Sequence, residues 1–225
     1  ILKTYLTGLF TLSPKKQKKT ISNDPSLLFF TNFGLEQFSE KRFNTSELAE
    51  NKPFVLLDAI EVAEQALKTI LTNSNLDKST QSWRPAIESH YQNNFHDSAQ
   101  SILVGMLYSM SSALLTRNAP LPTTNEWGQS PFYTFKRLYF ALAANAPKSL
   151  PREDSAKKIL KIGLRREARH EIFMFLQNQF KFLNSNLQNE LLDLIDSIAV
   201  DRDASPELER RYAAWEKLRW LEALA

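Results

Sequence analysis

The residue types that carry most enzymatic chemistry are scarce in this 225-residue sequence. It contains no cysteine, which excludes disulfides, thiolate zinc sites and cysteine nucleophiles. Its three histidines, His90, His96 and His170, are too few and too scattered to predict a metal cluster. None of the five glycines stands in a GxxxxGK[ST] or GxGxxG context, which excludes a phosphate-binding loop. We therefore expect no metal and no cofactor in this chain.

Carboxylates are numerous, but their spacing does not indicate acid–base catalysis. Asp193 and Asp196 lie three positions apart on the expected solvent face of one helix. No base, nucleophile or metal ligand is expected beside them. The sequence predicts a chain without catalytic residues.

The net charge of +3 is small and arises mainly in one segment, residues 11–25. Prolines mark this segment as an exposed loop that holds Lys15, Lys16, Lys18 and Lys19. Such a loop can contact phosphate or an acidic partner, but a solvated loop is the preferred interpretation. Because basic residues do not interleave with the aromatic ones, we do not expect nucleic-acid binding.

Residues 98–116 carry no charge and predict the most buried helix of the fold, with Asp97 as its N-cap. Polar residues Gln100, Ser101, Ser111 and Ser112 are expected on the face opposite the apolar stripe. The run is long enough to span a membrane, but its polar side chains argue against that reading. The expected apolar stripe consists of Ala99, Ile102, Leu103, Met106, Leu107, Met110, Ala113 and Leu114.

Other segments show the same helical period. A helix is expected to begin at Pro53 and to turn Asp58, Glu61, Glu64 and Lys68 towards water. Another is expected from Ser130, with Pro131 in its first turn, after an exposed loop at 119–129. The last helix, with Ser205 as cap and Pro206 first, is expected to bury Leu208, Tyr212, Trp215, Leu218 and Leu221.

No segment alternates with period two for long enough to predict a strand, so the expected fold is all-α, as an irregular α-solenoid or layered helical array. We divide it into 1–81, a helical part that includes the lysine-rich loop, and 82–225, with the two parts continuous. The chain begins at Ile1 and ends within an apolar helical pattern, which suggests a piece of a longer protein. No signal peptide is apparent, and a cytoplasmic location is expected.

The stretch from Trp83 to Asn93, WRPAIESHYQN, resembles a W-R-x-A-I-E-x-H-x-Q-N segment of bacterial defence proteins. The segment belongs to the C-terminal helical region of STAND-class P-loop NTPases, and related regions occur behind sirtuin-type NADase domains. Residues 169–173, 191–196 and 215–221 are similar to the family's H-E-[LIV]-[FY], LLxLIE and W-x-x-x-R-W-L segments. The resemblance covers 82–225, and Tyr91 departs from it where the family has an acidic residue.

The resemblance implies a function. Such proteins combine an N-terminal effector, a central ATPase that oligomerises, and a C-terminal helical sensor that docks a phage protein. This chain would be part of the sensor, non-catalytic and outside the membrane, with a phage protein as ligand; large terminase subunit and portal are the family's known triggers. A generic helical interaction scaffold is the first alternative.

Within the motif, Trp83, Arg84, Glu88 and His90 form a candidate cluster for contacting a partner, because tryptophan and arginine are frequent interface anchors. In the alternative interpretation, which we prefer, Trp83 packs on a neighbouring helix and Arg84 pairs with Glu88 four residues on.

A second alternative function is catalytic. Arg165 and His170 match the R-x4-H spacing of HEPN helical ribonucleases, in which an arginine and a histidine on one helix cooperate at a dimer interface to cleave RNA. Arg166 stands where that family has another polar residue, and the pattern arises easily by chance in an arginine-rich helix.

Overall fold

The computed structural model describes residues 45–88, 98–121, 123–146, 148–198 and 206–224. Within these ranges the chain is helical and contains no strand, which confirms the all-α prediction. The predictions for 1–44, including the lysine-rich loop 11–25, lie outside the described residues. So do those for His90, Asp97, the loop 201–204 and Ser205.

Ten α-helices follow one another in the described ranges, with three short 3-10 turns between them at Leu76–Ser79, Arg166–Ala168 and Phe180–Phe182. The helices are α1 (Thr45–Asn51), α2 (Pro53–Thr72), α3 (Thr80–Trp83), α4 (Ala99–Thr116), α5 (Thr123–Gln129), α6 (Tyr133–Asn145), α7 (Arg152–Ile162), α8 (Arg169–Gln179), α9 (Ser185–Asp196) and α10 (Pro206–Leu221).

Helix α6 lies at the centre of the described fold, between α4 on one side and α8 on the other. It also contacts α5 and α7. Leu138, Tyr139 and Phe140 are consecutive, so their side chains point in different directions around the helix, and all three are fully buried. The helix is therefore buried on more than one side.

Helix α2 begins at Pro53, as predicted, because proline has no N–H to lose and its fixed φ suits the first helical turn. Its apolar stripe packs on α4. The prediction that Glu64 faces water is wrong: its side chain is buried and pairs with Lys68, with 2.6 Å between Nζ and Oε1. Pairing with a lysine one turn on makes burial of the carboxylate tolerable.

Helix α4 is buried on more sides than its sequence pattern predicts. Leu103, Leu107 and Met110 are buried as expected, but the predicted burial of Ile102 and Met106 is only partial. The polar residues Gln100, Ser101 and Ser111, which we placed on the solvent face, are buried too. The reason is that α1 and α2 cover one side of α4 while α6 covers another.

The same helix is the candidate membrane span of the described ranges. Ala99–Thr116 has a mean hydropathy of 1.2 over its 18 residues, and 61% of that window is buried inside the fold. One such helix is a weak indication of a membrane protein, because the core helix of a water-exposed domain has the same properties. Its N-cap residue is Ser98.

The prediction of an exposed loop at 119–129 is wrong for the second half of that segment, which forms helix α5. Trp127 lies in the core, only 1% exposed. Gly128 lets the backbone approach closely, since an added Cβ would lie 2.8 Å from the Lys158 side chain. Prolines and a glycine in the segment suggest a loop, but burial of a large aromatic side chain outweighs them.

The proposed boundary between residues 81 and 82 falls inside α3. Core residues from both sides of the boundary, such as Leu67 and Leu107, belong to one hydrophobic cluster. The described residues on the two sides therefore share a core.

Candidate functional site

The motif stretch 83–88 is a buried part of the fold. Trp83 is 8% exposed, and its indole Nε1 donates a hydrogen bond to the Leu76 carbonyl at 2.8 Å. Arg84 is also 8% exposed and donates to the Ser101 hydroxyl at 3.2 Å and to the Ile87 carbonyl at 2.8 Å. Both side chains therefore make contacts inside the described fold, and the ion pair described for Glu88 is with His170.

A fully buried ion pair holds this stretch to the rest of the molecule. Arg137 on α6 donates from Nε and Nη2 to the two carboxylate oxygens of Glu171 on α8, at 2.9 and 2.8 Å, and both side chains are 0% exposed. Arg137 also donates to the Pro85 carbonyl at 3.0 Å, while Glu171 accepts from the Ile87 backbone N–H at 3.2 Å. The two charges therefore satisfy backbone groups of the motif as well as each other.

A second, half-buried pair joins Glu88 to His170 at the start of α8. The hydrogen bond that His170 donates to the Glu88 carboxylate raises the pKa of His170, and burial opposes that rise. Burial alone would raise the pKa of Glu88, but the hydrogen bond from His170 holds it below its usual range. The pKa of the nearby Tyr108 phenol is raised, mainly because the side chain is buried and also because of the negative charge of Glu88.

The sign of the resulting pH dependence follows from these shifts. Because the pKa of His170 is raised in the fold, the pair adds stability at pH values below about 6.5, the pKa of a histidine in the unfolded chain. This stability is lost as the pH rises through the pKa that His170 has in the folded protein. A lowered Glu88 pKa stabilises the fold above about 4.5, and this stability is lost as pH falls through the folded pKa. The pair therefore contributes most between those two values.

Another carboxylate connects the 3-10 turn before the motif to α6. Asp77 accepts hydrogen bonds from the backbone N–H groups of Tyr133 and Thr134, at 2.8 and 2.9 Å, and from the Thr134 hydroxyl. It thus caps the N-terminus of α6. Ser130 Oγ accepts only from the Phe132 N–H, at 3.2 Å, and the helix begins later than predicted, at Tyr133.

Two arrangements that could support chemistry, a metal cluster and the R-x4-H pair on one helix, are absent from the described ranges. No group of three or more histidine, aspartate and glutamate side chains in the described ranges could hold a metal ion. Arg165 lies in extended backbone before the 3-10 turn, and its Nε donates to the Ile162 carbonyl at 3.0 Å. His170 is on α8 and pairs with Glu88, so the R-x4-H residues do not share a helix.

Five exposed large apolar side chains of the described ranges lie together on α10. Our prediction that this helix buries its apolar side chains is wrong for every one named. Their exposed fractions are 42% for Leu208, 41% for Tyr212, 50% for Trp215, 56% for Leu218 and 43% for Leu221. We call the surface of Leu208, Arg211, Trp215, Leu218 and Glu222 the outer face of α10.

Helix α10, with the turn that follows it, docks through Trp220 and Ala223, which belong to the hydrophobic core, and through polar side chains. Lys217 pairs with Asp196 of α9 at 2.9 Å, and Glu216 pairs with Arg169 of α8. The Arg169 guanidinium also lies over the ring of Trp220, 5.7 Å from its centroid, and Trp220 is the buried aromatic of this helix. The helix and this turn thus bury Trp220 and Ala223 beside these polar contacts and leave the large apolar side chains of the outer face exposed.

The exposure of these apolar side chains is only weakly indicated by the sequence. Periodicity shows that one side of a helix is apolar, but not whether that side meets the same chain. Glu216 and Lys217, both half-buried, stand on the side that would face water in an ordinary surface helix. Arginines beside the apolar positions, such as Arg219 at 4.8 Å from the Trp215 ring centroid, are also typical of protein interfaces.

No protein-family model, characterised protein or solved structure matches the chain. The resemblance to defence-protein sensors therefore stays a prediction, and the function is argued from the sequence segments and the surface of α10.

Proposed function

We propose that this chain is a non-catalytic recognition module, the sensor region of a cytoplasmic bacterial antiphage defence protein. It binds a phage protein, and a separate effector in the parent protein responds. The parent oligomerises when it is activated. The ordered resemblance of four segments across residues 82–225 supports this proposal, as does the presence of a surface suited to protein contact.

The observation that carries the proposal is the outer face of α10. Large apolar side chains in a row on one helix are costly to leave in water, and contiguous exposed apolar patches mark protein-interaction sites. Trp215, with Arg219 stacked on it, has the composition of an interface anchor. Trp215 and Leu218 are 50% and 56% exposed.

The rest of the described fold suits a rigid support for such a surface. The buried Arg137–Glu171 pair fixes the motif stretch between α6 and α8, and α8 in turn holds α10 through Arg169. Successive helices in an irregular α-solenoid would extend this support, and we include that architecture in the proposal. The motif residues Trp83 and Arg84 then act in the support and not at the contact.

Defence by the parent protein tests the proposal. Trp215→Ser and Leu218→Ser should abolish protection against phage and leave the melting temperature unchanged, because exposed substitutions usually alter stability by less than about 0.5 kcal/mol. Leu192→Ser is the matched control, since Leu192 is 38% exposed on α9, outside the outer face. Full protection by both outer-face variants would favour a scaffold that acts through another surface.

A further inference from the structure

We propose that the outer face of α10 pairs with the same face of a second copy of this chain, in antiparallel orientation. The inference rests on the proposed function in one respect, that this face is a protein contact. It assigns the face to a contact between subunits of the parent, so the phage protein binds at another surface of the chain, and it adds the register of the subunit contact. Both follow from the spacing and charge of five side chains.

The outer-face residues form a single seam along the helix. Leu208, Arg211, Trp215, Leu218 and Glu222 are separated by three, four, three and four positions, the spacing with which one helix faces another. The backbone N–H of Glu222 still bonds to the Leu218 carbonyl at 2.9 Å, so the helical path continues to the end of the seam. The apolar centre of the seam, Trp215 and Leu218, is therefore bounded by a cation on one side and an anion on the other.

This charge pattern is complementary to itself only when the second copy is reversed. In a two-fold antiparallel pair with Trp215 opposite Leu218 of the second copy, Arg211 lies opposite Glu222 of that copy, because both pairs have the same midpoint in the sequence. Each contact occurs twice. Neither Arg211 nor Glu222 has an ion-pair partner within the described ranges, so both charges are available. A parallel pair would place like charges opposite each other.

The length of the helix sets the strength of the contact. Its 16 residues span about 24 Å, so one helix pair buries less than the roughly 1,200 Å² of a stable standard-size interface. We therefore expect a weak dimer of the isolated chain. In a parent that oligomerises, neighbouring subunits raise the effective concentration of this face, and the same contact then becomes largely occupied.

Sedimentation equilibrium of the purified 225-residue chain, from about 10 to 500 µM, tests the inference. Wild type should show a concentration-dependent dimer. Leu218→Glu should stay monomeric throughout, while Leu192→Glu, which changes an exposed leucine outside the seam, should dimerise as wild type does. Circular dichroism and thermal unfolding verify that each variant is folded.

Charge reversal tests the register even if Leu218→Glu does not fold. Arg211→Glu and Glu222→Arg should each weaken the dimer by about tenfold, since each change acts twice, and the double reversal should restore it. A monomeric wild type, a dimer unaffected by Leu218→Glu, or a dimer tightened by a single reversal would each overturn the inference. Capture of a phage protein by the parent is a separate measurement, so the proposed function can stand if the dimer does not.

Discussion

The buried pair of Arg137 and Glu171 allows a quantitative test of the described core. Replacing Glu171 with leucine leaves a guanidinium without a counter-charge at a site that is 0% exposed. Replacing Arg137 with methionine leaves a carboxylate in the same position. Breaking a buried pair from one side costs about 3–5 kcal/mol, so each single variant should lose that much unfolding free energy.

The double variant should lose much less than the sum of the two singles. Removing both charges leaves an apolar contact of similar volume, which often restores stability. Two backbone groups still lose their partners, the Pro85 carbonyl and the Ile87 N–H, at about 1–3 kcal/mol each. The two single changes add to about 6–10 kcal/mol, against about 2–6 kcal/mol for the double variant.

Urea unfolding followed by circular dichroism measures these losses. For a domain of this size, about 1 kcal/mol corresponds to roughly 2–4 °C in melting temperature. Glu171→Gln, which keeps the shape of the side chain, is the milder variant if a leucine variant does not fold. Additive single and double losses would refute the direct pairing of these two residues across α6 and α8.

Three further predictions concern other parts of the described fold. Asp77→Ala should lower stability by about 1–2 kcal/mol, because the N-terminus of α6 loses its cap, and thermal unfolding measures this loss. His170→Gln should lower stability by less than about 1 kcal/mol, since the pair with Glu88 is partly exposed. That loss should be largest between about pH 4.5 and 6.5 and should disappear as pH rises through the His170 pKa, in melting curves recorded against pH. Leu107→Asp should unfold the chain, because an unpaired carboxylate at a 0% exposed position costs several kcal/mol.

Two of these predictions have a control variant nearby in the sequence. Lys78→Ala changes an exposed neighbour of Asp77 and should leave stability unchanged. Thr116→Asp places the same carboxylate at an exposed position of α4 and should be tolerated. A cooperatively melting Leu107→Asp variant would contradict the placement of α4. A His170→Gln difference that grows above pH 8 would contradict the sign of its pKa shift.

Helix positions were predictable from sequence because their signals are local. Pro53 starts α2, Asn184 caps α9 by accepting from the Leu187 N–H at 3.0 Å, and Pro206 begins α10. These features depend on backbone groups within one turn of the residue concerned. Gly163 ends α7 with a φ of 75°, in the left-handed region that favours glycine.

The contacts that side chains make with residues distant in the sequence were not predictable. Arg84 was expected to pair with Glu88, but it binds Ser101, seventeen residues away. Glu88 instead pairs with His170, from a different helix. Such contacts depend on how helices distant in sequence pack, and periodicity contains no information about that. The prediction that α10 buries its apolar side chains was wrong for the same reason.

The most direct test of recognition is a comparison of the parent protein with and without residues 1–225, each recovered from phage-infected cells. We predict that one phage protein is retained only by the intact parent. That protein, once purified, should bind the intact parent in a calorimetric titration, and removal of the region should abolish defence. If no phage protein depends on this region and the shortened parent still protects the cells, the recognition function is contradicted.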